Sequence, residues 1–293
     1  MSLDIVAVLA MRNEKAFLPY ALQHLIDNGI RYAILDNESD DGSADILKED
    51  RFRRNLVDYR VFPFNGFYEW QAILETKQAM YEELAGEADW LMHIDPDEYV
   101  HSYRPGERLD EAISRIAETG ADAINFDEFV FLPVDADFVT DQSGPQPMRH
   151  YYFFSQGMPQ KINAWRAALR PDKVKSGGHK LHGVDYRLAE ETLAMRHYMF
   201  TDQEHAWRKY TTRRFKSTEL RRGWHVSRSG YGQSFYTFPA PRKLKSLEDP
   251  EDRALDRSDP KPCHYWQWGP RGWVSRKARG LQRRMKKYGL LPK

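Results

Sequence analysis

Along the first 130 residues short apolar runs alternate with amphipathic stretches, and a polar cluster closes almost every run. Residues 5–10 (IVAVLA) are apolar and β-branched enough to predict a buried strand. Asn13 follows as the expected N-cap of a helix. In that helix Phe17, Ala21 and Leu25, with Leu18, Leu22 and Ile26 beside them, repeat at i, i+4 and i+8 as one apolar stripe. Pro19 is tolerated only near its first turns, and Asn28-Gly29 ends it. Residues 31–35 (RYAIL) are the second expected strand, so the chain opens with a β-α-β unit whose strands lie parallel.

The alternation continues. A polar loop at 36–43 (DNESDDGS) leads to a helix over 43–51 and a strand over 57–62. Residues 69–84 have helical spacing through Ile73, Lys77, Met80 and Leu84, and they feed residues 90–94 (WLMHI), a run suited to burial on both faces of a parallel sheet. An amphipathic helix is expected at 109–118. A strand at 123–126 then meets Asp127-Glu128 and resumes over 129–133. After a loop at 135–147, residues 151–154 and 162–165 predict short strands, antiparallel at a sheet edge, and 176–183 (SGGHKLHG) is a glycine-rich loop.

The predicted fold is α/β: a mixed, Rossmann-like central sheet flanked by helices over residues 1–200. A basic, aromatic-rich helical extension follows over 201–293, with helices at 203–224 and 273–288.

Composition narrows the partners. A net charge of +1 on 293 residues selects none globally, but residues 270–293 hold nine Lys or Arg and no acid. That helix either packs on the domain as a solvated surface or lies on an anionic membrane. Nucleic acid would use the same charges, yet no recognised binding motif accompanies them, so none is expected. The single cysteine, Cys263, rules out an internal disulfide and suits a reducing compartment. No apolar run approaches the roughly 18–20 residues of a membrane span, and the first strand lacks the flanks of a signal peptide. The expected location is cytoplasmic, with peripheral contact on the inner membrane face if the extension docks there.

The candidate chemistry gathers at strand ends. The run at 90–94 stops at Asp95-Pro96-Asp97-Glu98, three carboxylates in four positions at a bend set by proline. Open α/β sheets bind ligands at the carboxyl ends of such strands. Two acids one residue apart repel unless a cation or a hydrogen-bonded ligand compensates them.

Taken in order, Arg12-Asn13-Glu14 after the first strand, D-N-x-S-x-D-G-S (residues 36–43) after the second, a helix leading into Ala88-Asp89-Trp90, and I-D-P-D-E-Y (residues 94–99) resemble the family 2 glycosyltransferases. The nearest branch is the one with a D-x-D-E-[FY] motif, and the match covers about residues 5–200. The resemblance implies a GT-A fold, a nucleotide-sugar donor (a UDP- or GDP-sugar), a glycan or lipid-linked acceptor, and inversion at the anomeric carbon. It places Asp36 on the nucleotide base and Asn13 and Glu14 in the same pocket, with Arg12 beside them. The alternative for Asp41, and the preferred one, is a turn residue.

Sugar transfer from a nucleoside diphosphate leaves negative charge on a phosphate oxygen, which a divalent ion would neutralise as a Lewis acid. Asp97 is the expected direct ligand of Mg²⁺ or Mn²⁺, and Asp95 binds ribose hydroxyls or a metal-bound water. The family's late-loop histidine would be His179, or else His182. The acceptor hydroxyl also needs a general base. The resemblance puts a carboxylate some 30 residues past the D-x-D, where Asp127 and Glu128 stand. Neighbours on a strand face opposite ways, so only one of the two can enter the site; Glu128 is preferred, and Asp202 or Glu204 are the remaining candidates. Lys161, Arg166 and Lys180 could hold a diphosphate or an anionic acceptor, or form solvated surface.

The Q-x-x-R-W motif of processive synthases is missing, which points to the addition of one or a few sugars. Two other readings compete: a nucleotide- or carbohydrate-binding relic without a base, and a D-x-D phosphohydrolase. The latter normally carries its motif near the N-terminus with Thr or Val after the first Asp.

Overall fold

A computed structural model describes residues 3–134, 147–221 and 237–268. The basic helix expected at 273–288 lies outside the described residues. The first strands are β1 (Ile5–Met11), β2 (Arg31–Asp36), β3 (Leu56–Val61) and β4 (Trp90–Ile94), all parallel, in spatial order β3-β2-β1-β4. Helix α1 (Leu18–Asp27) joins β1 to β2. Two short helices, α2 (Ser43–Ile46) and α3 (Asp50–Arg53), precede β3, where one helix was expected. Helix α4 (Trp70–Leu84) carries the chain back across β1 to β4.

The period-2 geometry of β1 splits its side chains between the two faces of the sheet. Ile5, Ala7 and Leu9 pack with Leu18, Leu22 and Leu25 of α1. They share that layer with Leu109, Ile113 and Ile116 of α5 (Leu109–Glu118). Val6 and Val8 pack on the other face with Ile73, Met80, Tyr81 and Leu84 of α4. Ile113 is fully buried in the first layer, so Ile113→Ala is expected to cost about 2–5 kcal/mol in urea denaturation through lost transfer energy and a residual cavity.

The second half of the sheet is antiparallel to the first, or mixed with it. After β5 (Glu98–His101), strand β6 (Ala123–Phe131) runs without a break through Asp127-Glu128, where an interruption had been expected. It is followed by β7 (His150–Phe154), β8 (Lys161–Arg166), β9 (Leu193–Tyr198) and the short β10 (Lys245–Ser246). The expected edge position of β8 is wrong. It lies between β4 and β6, antiparallel to both, and Ile162, Ala164 and Trp165 are fully buried there. The first half of β6 pairs with β8 and the second half with β9, which in turn pairs with β5.

Asn13 does not cap α1. The helix begins at Leu18, with Pro19 in its first turn, and Asn13 adopts a left-handed φ of 57° that asparagine tolerates. The helix expected at 203–224 is also divided, into α6 (Gln203–Thr211) and α7 (Ser217–Arg221). Phe200, Ala206 and Tyr210 pack against Val130, Leu132 and Tyr152 of the sheet, together with Tyr265 and Trp266. Among the described residues, no helix is long and apolar enough to cross a membrane.

Candidate functional site

From β1 the chain moves to β2 and β3 on one side, and α4 then returns it to β4 on the other. The carboxyl ends of β1 and β4 therefore flank a topological switch point, where open α/β sheets form their ligand crevice. A cavity of about 770 Å³ opens there, lined among others by Arg12, Glu14, Asp95, Asp97, Glu98 and Glu128. A second cavity of about 450 Å³ shares Arg12, Glu14, Tyr68, Lys209 and Arg213 with it and adds Asn13, Phe64 and Arg208.

The acidic turn sits between β4 and β5, beside the point where β6 exchanges one partner strand for another. The Glu98 carboxylate closes the turn by accepting from the Asp95 amide at 3.1 Å, and Lys161 Nζ donates to its other oxygen. Asp97 is nearly buried. Its Oδ2 accepts from Lys209 Nζ at 2.9 Å, and its Oδ1 lies 3.7 Å from His197 Nε2. The other ring nitrogen of His197 is 2.6 Å from Glu128 Oε1, and Glu128 Oε2 accepts from Gln160 Nε2 at 3.1 Å with Lys161 Nζ at 3.4 Å. One imidazole thus bridges the carboxylates of Asp97 and Glu128.

The charges settle one another. Burial works against a protonated His197, but Asp97 and Glu128 outweigh it and push the pKa up to about 10. Burial would also raise both acids; Lys209 and His197 hold Asp97 well below the usual carboxylate range, and Lys161 and His197 do the same for Glu128. Glu14 differs. Burial pushes its carboxyl up although Lys209 stands at 3.7 Å and Arg213 at 3.5 Å.

The structure divides the remaining candidates. Asp127 faces away from the cavity, as alternation requires, and accepts from Tyr103 Oη at 2.8 Å and Thr192 Oγ1 at 2.7 Å. Asp36 is buried, its Oδ1 taken by the Ser39 amide and hydroxyl and its Oδ2 by Tyr59 Oη at 3.0 Å. Asn13 clamps the two loops together by exchanging hydrogen bonds with Asp40 at 2.7 and 2.9 Å. Arg12 donates to the Asn37 and Glu38 carbonyls and stacks on Phe64 at 3.4 Å. Asp41 is a turn residue, accepting from the Ser43 and Lys15 amides.

His179 and Lys180 line the larger cavity. Their loop presses on the sheet through Gly178, where an added Cβ would lie 2.9 Å from the His93 ring and φ is +95°. His182 instead pairs through its backbone with Asp172, outside the cavity. Arg166 pairs with Trp90 at the amino end of β4, away from the crevice, and is tied to the Ala117 and Ala121 carbonyls. Asp202 caps α6 by accepting from the His205 amide at 2.7 Å, and Glu204 is exposed, so neither faces the cavity.

Sequence reasoning missed His197, Lys209, Arg213 and the aromatic pair Tyr68 and Trp70, whose rings stack at 5.8 Å on the cavity wall. Strand β9 (LAMRHY) carries no β-branched residue and no alternation, so nothing local announces it. Lys209 and Arg213 belong to the basic, aromatic-rich extension, where no residue lining the crevice was expected. Arg208 does point outward, but the Lys209 side chain is only 8% exposed.

The residue expected to hold a metal is already paired within the protein. Asp97, the expected ligand, accepts from the Lys209 ammonium at 2.9 Å, and His197 Nε2 stands 3.7 Å from its other oxygen. Among the described residues, no group of three or more His, Cys, Asp and Glu converges to hold an ion.

No family model matches the chain, and no curated protein does. Among solved structures it is similar to the mannosyltransferase PcManGT from Pyrobaculum calidifontis in complex with GDP-Man and Mn²⁺. That similarity has 15% identity and a TM-score of 0.41, and covers 83% of this chain and 67% of that one. It is also similar to S. aureus TarS, at 12% identity and a TM-score of 0.40 over 80% of this chain and 41% of that one. A putative glucose-1-phosphate thymidylyltransferase from Bacillus anthracis follows at 9% identity and 0.36, over 78% and 97%. The chain thus spans 41% of that TarS chain, and 61% of the TarS 1-349 chain in complex with UDP.

Proposed function

We propose that the protein transfers a sugar from a nucleoside-diphosphate sugar to a hydroxyl of a glycan or surface-polysaccharide precursor, with inversion. Residues 1–200 supply most of the catalytic unit, and the chain beyond 200 contributes cations to it. The observation that carries this reading is the bridged pair Asp97–His197–Glu128 in a switch-point cavity. A diphosphate donor needs positive charge and polar anchors, and a hydroxyl acceptor needs a carboxylate. This cavity offers both within one enclosure.

Glu128 is the base. The cations that hold it ionised also make it a weak one, so it takes the proton late. By then the acceptor oxygen has begun to bond to the anomeric carbon and its proton has become acidic. The same ionisation keeps Glu128 in the receptive form at neutral pH. Asp95 is the candidate for ribose hydroxyls, and Tyr68 with Trp70 offers a flat apolar face to a base or a sugar ring.

A thermal-shift screen of UDP, GDP, CDP and dTDP tests the reading. A ligand that binds only the folded state adds about 2.7 kcal/mol at a hundredfold excess over Kd, a rise of several degrees in Tm. One nucleotide is expected to produce it, and the matching nucleotide-sugar should then be hydrolysed slowly without acceptor. Binding without any turnover identifies a relic. Turnover of simple phosphate esters, with nucleotide-sugars ignored, identifies a phosphohydrolase.

A further inference from the structure

We infer that Lys209 and Arg213, rather than a divalent cation, neutralise the diphosphate of the donor; this rests on the reading of the cavity as a nucleotide-sugar site. A direct metal ligand must offer an oxygen lone pair at about 2.0–2.6 Å from the ion. One oxygen of Asp97 is already engaged within the protein. Lys209 Nζ occupies Oδ2 at 2.9 Å, and His197 Nε2 stands 3.7 Å from Oδ1. A dication arriving at Oδ2 would meet the Lys209 ammonium before it met the carboxylate.

Lys209 is not a surface side chain that happened to fold inward. Its ammonium also lies 3.7 Å from Glu14, 3.4 Å from the Met199 carbonyl and 5.6 Å from the Phe17 ring centre, so it is held from several directions. Arg213 stands beside it, 3.5 Å from Glu14 and 4.8 Å from the centre of the Tyr68 ring. Both line the same cavity as Asp95 and Glu128.

Together they bring two positive charges to the place where a metal would bring two. A guanidinium adds a planar fork that matches two phosphate oxygens, and an ammonium adds three donors on one point charge. In the transfer step the bond from the anomeric carbon to the phosphate oxygen breaks and leaves its electron pair on the diphosphate. The acceptor oxygen bonds to that carbon, and its proton passes to Glu128. The new phosphate charge is met by Lys209 and Arg213, and no further reactant is needed.

The test is the affinity of the full chain for UDP and GDP, by calorimetry, in excess EDTA and again with Mn²⁺. The expected result is one Kd in both buffers within about threefold. Lys209→Met should weaken the nucleoside diphosphate by about tenfold or more and leave the nucleoside unchanged, while Lys209→Arg retains most of the affinity. Binding in wild type that EDTA abolishes and Mn²⁺ restores overturns the inference, and so does a Lys209→Met variant that binds the diphosphate as wild type does. The wild-type comparison stands even if the variants fold poorly. If neither nucleotide binds in either buffer, the reading of the cavity fails first and takes this inference with it.

Discussion

Glu128→Gln is expected to lower the rate of glycosyl transfer by about 10²–10⁴-fold and to leave nucleoside-diphosphate affinity within about threefold of wild type. The amide has nearly the shape of the carboxylate and can still meet His197 and Gln160, so the pocket keeps its outline. Lys161 retains Glu98 as a partner, which limits the structural damage. What disappears is the carboxylate proposed to receive the acceptor proton. Steady-state rates with the donor identified by the thermal-shift screen, read as separate kcat and KM values, check it. A variant that turns over at the wild-type rate would place the base on another residue.

The pH dependence of stability should be nearly as pronounced, and its sign follows from His197. The pKa of this histidine is raised from 6.5 unfolded to about 10 folded, so the stability it contributes is fully present below pH 6.5 and is lost as the pH climbs towards 10. A pKa difference of one between the two states corresponds to about 1.36 kcal/mol, which puts the total loss at about 3–5 kcal/mol. Asp97 and Glu128 have lowered pKa values and act in the opposite window. Their stabilisation is present at neutral pH and fades as the solution becomes acidic. Urea denaturation in steps from neutral to alkaline pH should show the decline, and His197→Gln should flatten it. An unchanged slope in that variant would mean that the imidazole is neutral in the folded protein.

Much of this arrangement is legible in the amino-acid pattern, and the reason is local. The parallel half of the sheet consists of strands whose apolar runs are broken by polar turns, and α1, α4 and α5 each carry an apolar stripe that needs no distant partner to be recognised. Asp95 and Asp97 could be named because a carboxylate at a strand end is conspicuous in one dimension, and Glu128 because the family resemblance puts a carboxylate about that far past the D-x-D. Strand β8 looked peripheral because a short apolar run does not reveal its neighbours; only pairing with β4 and β6 makes it central. His197 and Lys209 were invisible for the converse reason. Each is an ordinary residue in an ordinary stretch, and each becomes special through a contact with a carboxylate 69 or 112 positions away.

That separation of 112 positions orders events at the ribosome. The nascent chain delivers Glu14, Asp97 and Glu128 long before Lys209, so every shorter intermediate carries acids crowded together without their full set of counterions. Such a polypeptide gains by keeping those acids hydrated until α6 emerges and docks. A half-made chain therefore has no finished pocket.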